Sequence, residues 1–125
     1  MRICAVAFLL ASGTALAEGN VRVLDCTVIR SCDAAGSCQP GAGAVTFQLS
    51  PQSTNADGSG RFAIRYGPVQ AIALAQSETG PFFWESADGR HTLLAGSETD
   101  WLWHQLVTAP TPTATIRFLA CRYRG

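Results

Sequence analysis

Asp25-Cys26-Thr27-Val28-Ile29-Arg30-Ser31-Cys32-Asp33-Ala34-Ala35-Gly36-Ser37-Cys38, DCTVIRSCDAAGSC, sets three cysteines at even six-residue steps. Ala34-Ala35-Gly36 has the form of a three-residue hairpin loop, with Gly36 able to take the positive φ of the bulge position. That register puts Asp33 across from Ser37 and Cys32 across from Cys38, close enough for a disulfide. Cys26 is then left for Cys121, a bridge that sets the first long strand beside the last. Structural zinc sites gather ligands in pairs roughly two to four residues apart. The gaps here are five residues, and no His or Cys pair completes a site.

The compartment supports this pairing. The chain opens MRICAVAFLLASGTALAEGN, with Arg2 as a short positive start and an apolar run from Ile3 to Leu10. Ala15-Leu16-Ala17 then offers the small residues that signal peptidase requires, so residues 1–17 are expected to be removed before Glu18. The run falls short of the ~18 residues that cross a bilayer. Cys4 would leave with the leader, and Glu18 occupies the place a lipidated cysteine would need. Residues 18–125 keep Cys26, Cys32, Cys38 and Cys121, an even set that an exported domain uses as two disulfides.

All nine basic residues are Arg, and without Arg2 eight of them face nine Asp and Glu, a net charge of minus one. That balance offers no field for nucleic acid or for an anionic membrane surface. Arg without Lys, beside much Ala and Gly, is the mark of GC-rich codons and points to a bacterial periplasm or the medium.

Working outward, the rest of the chain alternates like strands. In Gly60–Tyr66, Phe62, Ile64 and Tyr66 share one face, and Arg61 and Arg65 the other. Val45, Phe47 and Leu49 alternate with Thr46, Gln48 and Ser50 in the same way. Further strands are expected at 21–31, 69–76, 81–86, 91–95, 99–108 and 113–124, giving eight. The Asn55 to Gly60 stretch NADGSG and the Ala87-Asp88-Gly89 turn punctuate them, and APTPT (109–113) must lie on the surface. Short links favour an antiparallel meander, and the Cys26–Cys121 bridge favours a closed barrel over a sandwich. The expected fold is one small all-β domain with two disulfides.

Candidate sites are few. NADGSG alternates Asn55, Asp57 and Ser59 like the start of a calcium loop, but the twelfth place is Tyr66, so a plain hairpin turn explains it better. In TDWLWHQL, Trp101 and Trp103 share one strand face, and Leu102, His104 and Leu106 the other. If the leucines point inward, the two indoles form an exposed partner-contacting surface, extended by Phe82, Phe83 and Trp84. If not, the indoles are core. His91 and His104 are the only histidines, and either would need a carboxylate such as Glu85, Glu98 or Asp100 to act as a base. Ser31, Ser37 and Ser53 lack a nucleophile-elbow context.

The residues favour a non-enzymatic, inhibitor-like module that binds an unknown protein or small ligand, with no cofactor, metal, nucleic acid or membrane anchor. In size and architecture it resembles the small periplasmic barrels that inhibit lysozyme. Their inhibitory loop motif has no counterpart here, so no residue role follows from the likeness. The alternatives are a small hydrolase-like enzyme using His104 or His91, or a carrier of an apolar ligand. The carrier is disfavoured because Phe62, Ile64 and Leu74 are expected to fill a barrel this short.

Overall fold

A computed structural model describes residues 20–41 and 43–124. The expected leader, residues 1–17, and its cleavage before Glu18 lie outside the described residues. Among the described residues nine antiparallel strands run β1 (Arg22–Asp33), β2 (Cys38–Pro40), β3 (Ala44–Thr54), β4 (Gly60–Tyr66), β5 (Val69–Ala75), β6 (Phe82–Ser86), β7 (Gly89–Ala95), β8 (Asp100–Val107) and β9 (Thr113–Tyr123). From β3 to β9 each strand pairs with the next, and β9 closes on β1. The molecule is therefore a closed eight-strand barrel with one short additional strand.

That additional strand explains the count of eight from sequence. β2 and β3 lie along the same edge of β1, against its Arg30–Cys32 and Arg22–Thr27 halves respectively. Between them Gly41 donates to Ile29 O at 2.7 Å and Val28 donates to Gly43 O at 3.1 Å, so the ladder is interrupted without being lost. A Cβ at Gly41 would fall 1.7 Å from Val28 O, so only glycine lets the two chains pass this closely. Ile29 is also the extra residue of a bulge against β9.

Both disulfides are formed as the spacing requires. Cys26 and Cys121 are register partners with Cα atoms 4.0 Å apart, and the bond spans 95 residues of sequence. Cys32 and Cys38 face each other across the β1–β2 hairpin, and Asp33 N donates to Ser37 O at 2.9 Å. Two such bonds fit an oxidising, extracellular or periplasmic environment. The NADGSG stretch is the β3–β4 turn, where the Asp57 carboxylate accepts from Ser59 N at 3.0 Å.

The lumen is filled by side chains. Leu24, Phe47, Leu49, Phe62, Ile64, Phe82 and Leu93 are fully buried there, and the rings meet edge to face. Phe62 and Phe82 stand 5.4 Å apart at 90°, and Phe47 and Trp103 stand 5.2 Å apart at 85°, the geometry that ring quadrupoles favour. On β5, crowding reverses what hydrophobicity alone would predict. Ala71, Ala73 and Ala75 point into the lumen, while Leu74 faces solvent at 57 % exposure. The expectation that Leu74 fills the barrel is corrected: between large rings on β4 and β6 only small side chains fit.

Candidate functional site

The same parity settles the aromatic stretch of β8. Trp101 is 3 % exposed and Trp103 is 8 %, both inside the barrel, and Phe82 and Trp84 are buried beside them. The expected outward face of Trp101, Trp103, Phe82 and Trp84 is thus corrected to core. Trp103 pairs in register with Leu93 and Arg117, and Trp101 with Ala95 and Leu119, so the inward faces of β7 and β9 fix that of β8. Phe83, His104 and Leu106 point out instead.

Around Trp103, at the barrel end carrying the β4–β5 and β6–β7 turns, the lumen turns polar. Trp103 Nε1 donates to His91 Nδ1 at 3.0 Å, and Trp84 Nε1 donates to Tyr66 Oη at 3.1 Å. His91 Nε2 lies 2.8 Å from Asp88 Oδ1, and Tyr66 Oη donates to Asp88 Oδ2 at 3.1 Å. Ser86 Oγ donates to the same carboxylate. Gln105 closes the rim, donating to Asp88 O at 2.7 Å and accepting from Arg117 at 3.0 Å. The Arg117 guanidinium lies 4.6 Å over the Trp103 ring, a cation–π contact.

Burial pushes the Asp88 carboxyl up, but hydrogen bonds from Ser86, His91 and Tyr66 outweigh it and hold the group below its ordinary value of 3.8. Burial raises the Tyr66 phenol and lowers the Arg117 guanidinium. Ser86, Asp88 and His91 are the residue types of a nucleophilic triad, so the arrangement of the imidazole decides what they can do. An indole N–H only donates, so His91 Nδ1 must carry a lone pair and Nε2 must carry the proton. That proton points at Asp88, and Ser86 Oγ lies 3.5 Å from the same nitrogen. A triad needs the basic nitrogen toward the serine and the carboxylate on the other side of the ring. Here the basic nitrogen is held by Trp103. The cluster ties β4, β6, β7 and β8 together at this barrel end, with both His91 nitrogens engaged.

The outer face of β5 to β9 is different. Register partners Leu74, Phe83, Thr92, His104 and Ile116 form one continuous row across five strands. Beside it run Glu85, Arg90, Leu106 and Ala114, with Arg90 Nε and Glu85 Oε1 paired at 2.9 Å. These residues line a groove of about 720 Å³. Phe83 and Leu106 are each 40 % exposed within it.

No known protein family, curated protein or solved structure matches this chain.

Among the described residues none of the expected carboxylates, Glu85, Glu98 or Asp100, hydrogen-bonds or ion-pairs with either histidine. Glu85 pairs with Arg90, and Asp100 accepts from Ser97. Asp100 and His104 are four residues apart on β8, about 13 Å along the strand. Among the described residues no three His, Cys, Asp or Glu side chains come together as a metal site. The partner of His91 is Asp88, a turn residue that the sequence reading passed over. Its signal was the two-residue turn itself: Ala87-Asp88 folds β7 back on β6 and returns the carboxylate over the lumen.

Proposed function

We propose that this is an exported, non-enzymatic binding module of the inhibitor type, which holds a protein partner on the outer face of β5 to β9. The row Leu74, Phe83, Thr92, His104 and Ile116 carries the proposal. A strand face turned to water ordinarily presents polar side chains, whereas Leu74, Phe83, Leu106 and Ile116 stand on this one, apolar groups interspersed with polar ones as at a protein interface. Thr92 and His104 give the middle of the row hydrogen-bonding groups, and the Glu85–Arg90 pair forms one edge.

The scaffold favours binding energetically. A closed barrel with two disulfides presents its face already ordered, so little conformational entropy is lost on docking. The carrier alternative loses support because aromatic and aliphatic side chains occupy the lumen. The hydrolase alternative loses support at His91, whose two nitrogens are both engaged, and at His104, which stands on the outer face without a close carboxylate on its strand.

Site-specific photocross-linking tests the proposal. A photoreactive phenylalanine at position 83 or 106 should capture a second protein from the native exported fraction, and one at position 65, on the outer face of β4, should not. Equal capture from all three positions, or none from 83 and 106, would overturn it.

A further inference from the structure

His104 is an exposed side chain of β8 that, among the described residues, enters no side-chain hydrogen bond or ion pair. The strand register names what surrounds it on the outer face. Thr92 of β7 and Ile116 of β9 stand directly across from it, and Leu102 and Leu106 precede and follow it along β8. The diagonal positions on β9 are Ala114 and Phe118, and those on β7 are Leu94 and Arg90. Apart from Thr92 these neighbours are apolar or, at Arg90, cationic.

Charges farther out leave that sign unchanged. On β6, Glu85 is committed to Arg90 at 2.9 Å. Asp100 shares the outer face of β8 but lies four residues away, about 13 Å along the strand. On β9, Arg117 lies over the Trp103 ring on the lumen side, and on β1 the charge across from Phe118 is Arg30, another cation. Among the described residues no carboxylate adjoins His104 to hold an imidazolium.

A docked partner takes water away from this ring. A neutral imidazole can be covered when its one donor and one acceptor are met, whereas an imidazolium covered by apolar groups loses its hydration and gains no counter-charge. With His104 neutral, the Glu85–Arg90 pair leaves the groove without net formal charge, which complements an uncharged segment and offers a carboxylate nothing. Resting on the outer-face docking proposed above, we propose that the partner segment seated over His104 is uncharged and apolar, and that protonation of His104 releases it. A histidine changes charge between about pH 5 and 8. Binding is full on the alkaline side of that window and is lost as pH falls through it, because only molecules with a neutral ring are competent.

The protein recovered through position 83 tests this, titrated against wild type, His104→Gln and His104→Arg at about pH 7.5 and about pH 5.5. Both substitutions replace an exposed side chain, and the carboxylates that set the acid limit titrate below their ordinary 3.8, so the barrel stays folded at both values. The wild-type Kd should rise about tenfold or more on acidification. His104→Gln, neutral throughout, should hold its Kd constant, and His104→Arg, charged throughout, should bind weakly at both values. A wild-type Kd that is unchanged or lower at the acid value, or an equal rise in His104→Gln, overturns the switch and leaves the docking face standing. No recovery through position 83 at the alkaline value overturns both.

Discussion

Trp103 donates its indole N–H to His91 Nδ1 at 3.0 Å, and this one bond decides which imidazole nitrogen carries the proton. The other nitrogen then faces Asp88, so a fully buried histidine is satisfied on both sides. Replacing it leaves the Trp103 donor dry and opens space beside the ring. His91→Ala should therefore cost about 3 kcal/mol or more of folding stability, read from urea unfolding. His91→Gln, which can accept in place of Nδ1, should recover part of that loss. Capture of a partner at position 83 should survive in both variants wherever they remain folded.

The same cluster sets an acid limit. Because the folded-state pKa of Asp88 lies below its ordinary 3.8, the ionised carboxylate favours the folded state. Its contribution is present above the ordinary value and is lost as pH falls through the depressed folded one. Asp25, held down first by its bond from Arg124, and Asp57, held down first by Ser59, add to the same window. Asp88→Asn should flatten stability against pH below about 4 without altering it much between pH 6 and 8 beyond a constant offset. At the alkaline end the raised Tyr66 pKa acts in the opposite sense. Stability from the neutral phenol is full below its ordinary value of 10.0 and is lost as pH rises through the folded one.

The two disulfides should differ in worth. Cys26–Cys121 closes a span of 95 residues and Cys32–Cys38 one of 6. In the chain-entropy model the long bridge stabilises by about 4.7 kcal/mol and the short one by about 2.4 kcal/mol. Paired Cys→Ala variants, compared by urea midpoint, should rank in that order. Equal losses would mean that native packing around the bridges, and not loop closure, sets their contribution.

How far the sequence carried varies by element. Gly36 and the six-residue cysteine steps led to the hairpin, both disulfides and the closed barrel, because register and loop chemistry are local. The strand faces were legible where one side was charged, as with Arg61 and Arg65 opposite Phe62 and Ile64. They were not legible in β5 and β8, where large apolar side chains stand on one face and apolar ones recur on the other. Trp101 and Trp103 flank Leu102, with Leu106 on its face, and Ile72 and Leu74 alternate with alanines, so period alone cannot choose the inside. The choice is made by space: the wide part of the lumen takes the indoles, and the part between Phe62 and Phe82 takes only alanine. Asp88 stayed hidden because a turn aspartate reads as turn chemistry, and only the fold brings it over His91.

Burial of the indoles has a direct optical consequence. Emission from the native protein should be blue-shifted and poorly quenched by acrylamide, since Trp84, Trp101 and Trp103 are all inside. Trp103→Ala should cost about 3 to 5 kcal/mol of stability, as a cavity in the core does. Red-shifted, readily quenched emission from single-Trp variants at 101 or 103 would return those residues to the surface.

Affinity on the outer face addresses the functional claim most directly. A protein recovered through position 83 should be titrated against wild type, Leu74→Asp, Phe83→Asp and Arg65→Ala. Arg65→Ala should stay within about 0.5 kcal/mol of wild type in stability, and the two aspartate variants, which give up part-buried apolar contact on strands, are titrated after urea unfolding has shown them folded. The account predicts that Leu74→Asp and Phe83→Asp each raise Kd about thirtyfold, the loss of an interface anchor worth about 2 kcal/mol, while Arg65→Ala binds like wild type. Unchanged Kd in both aspartate variants would contradict it.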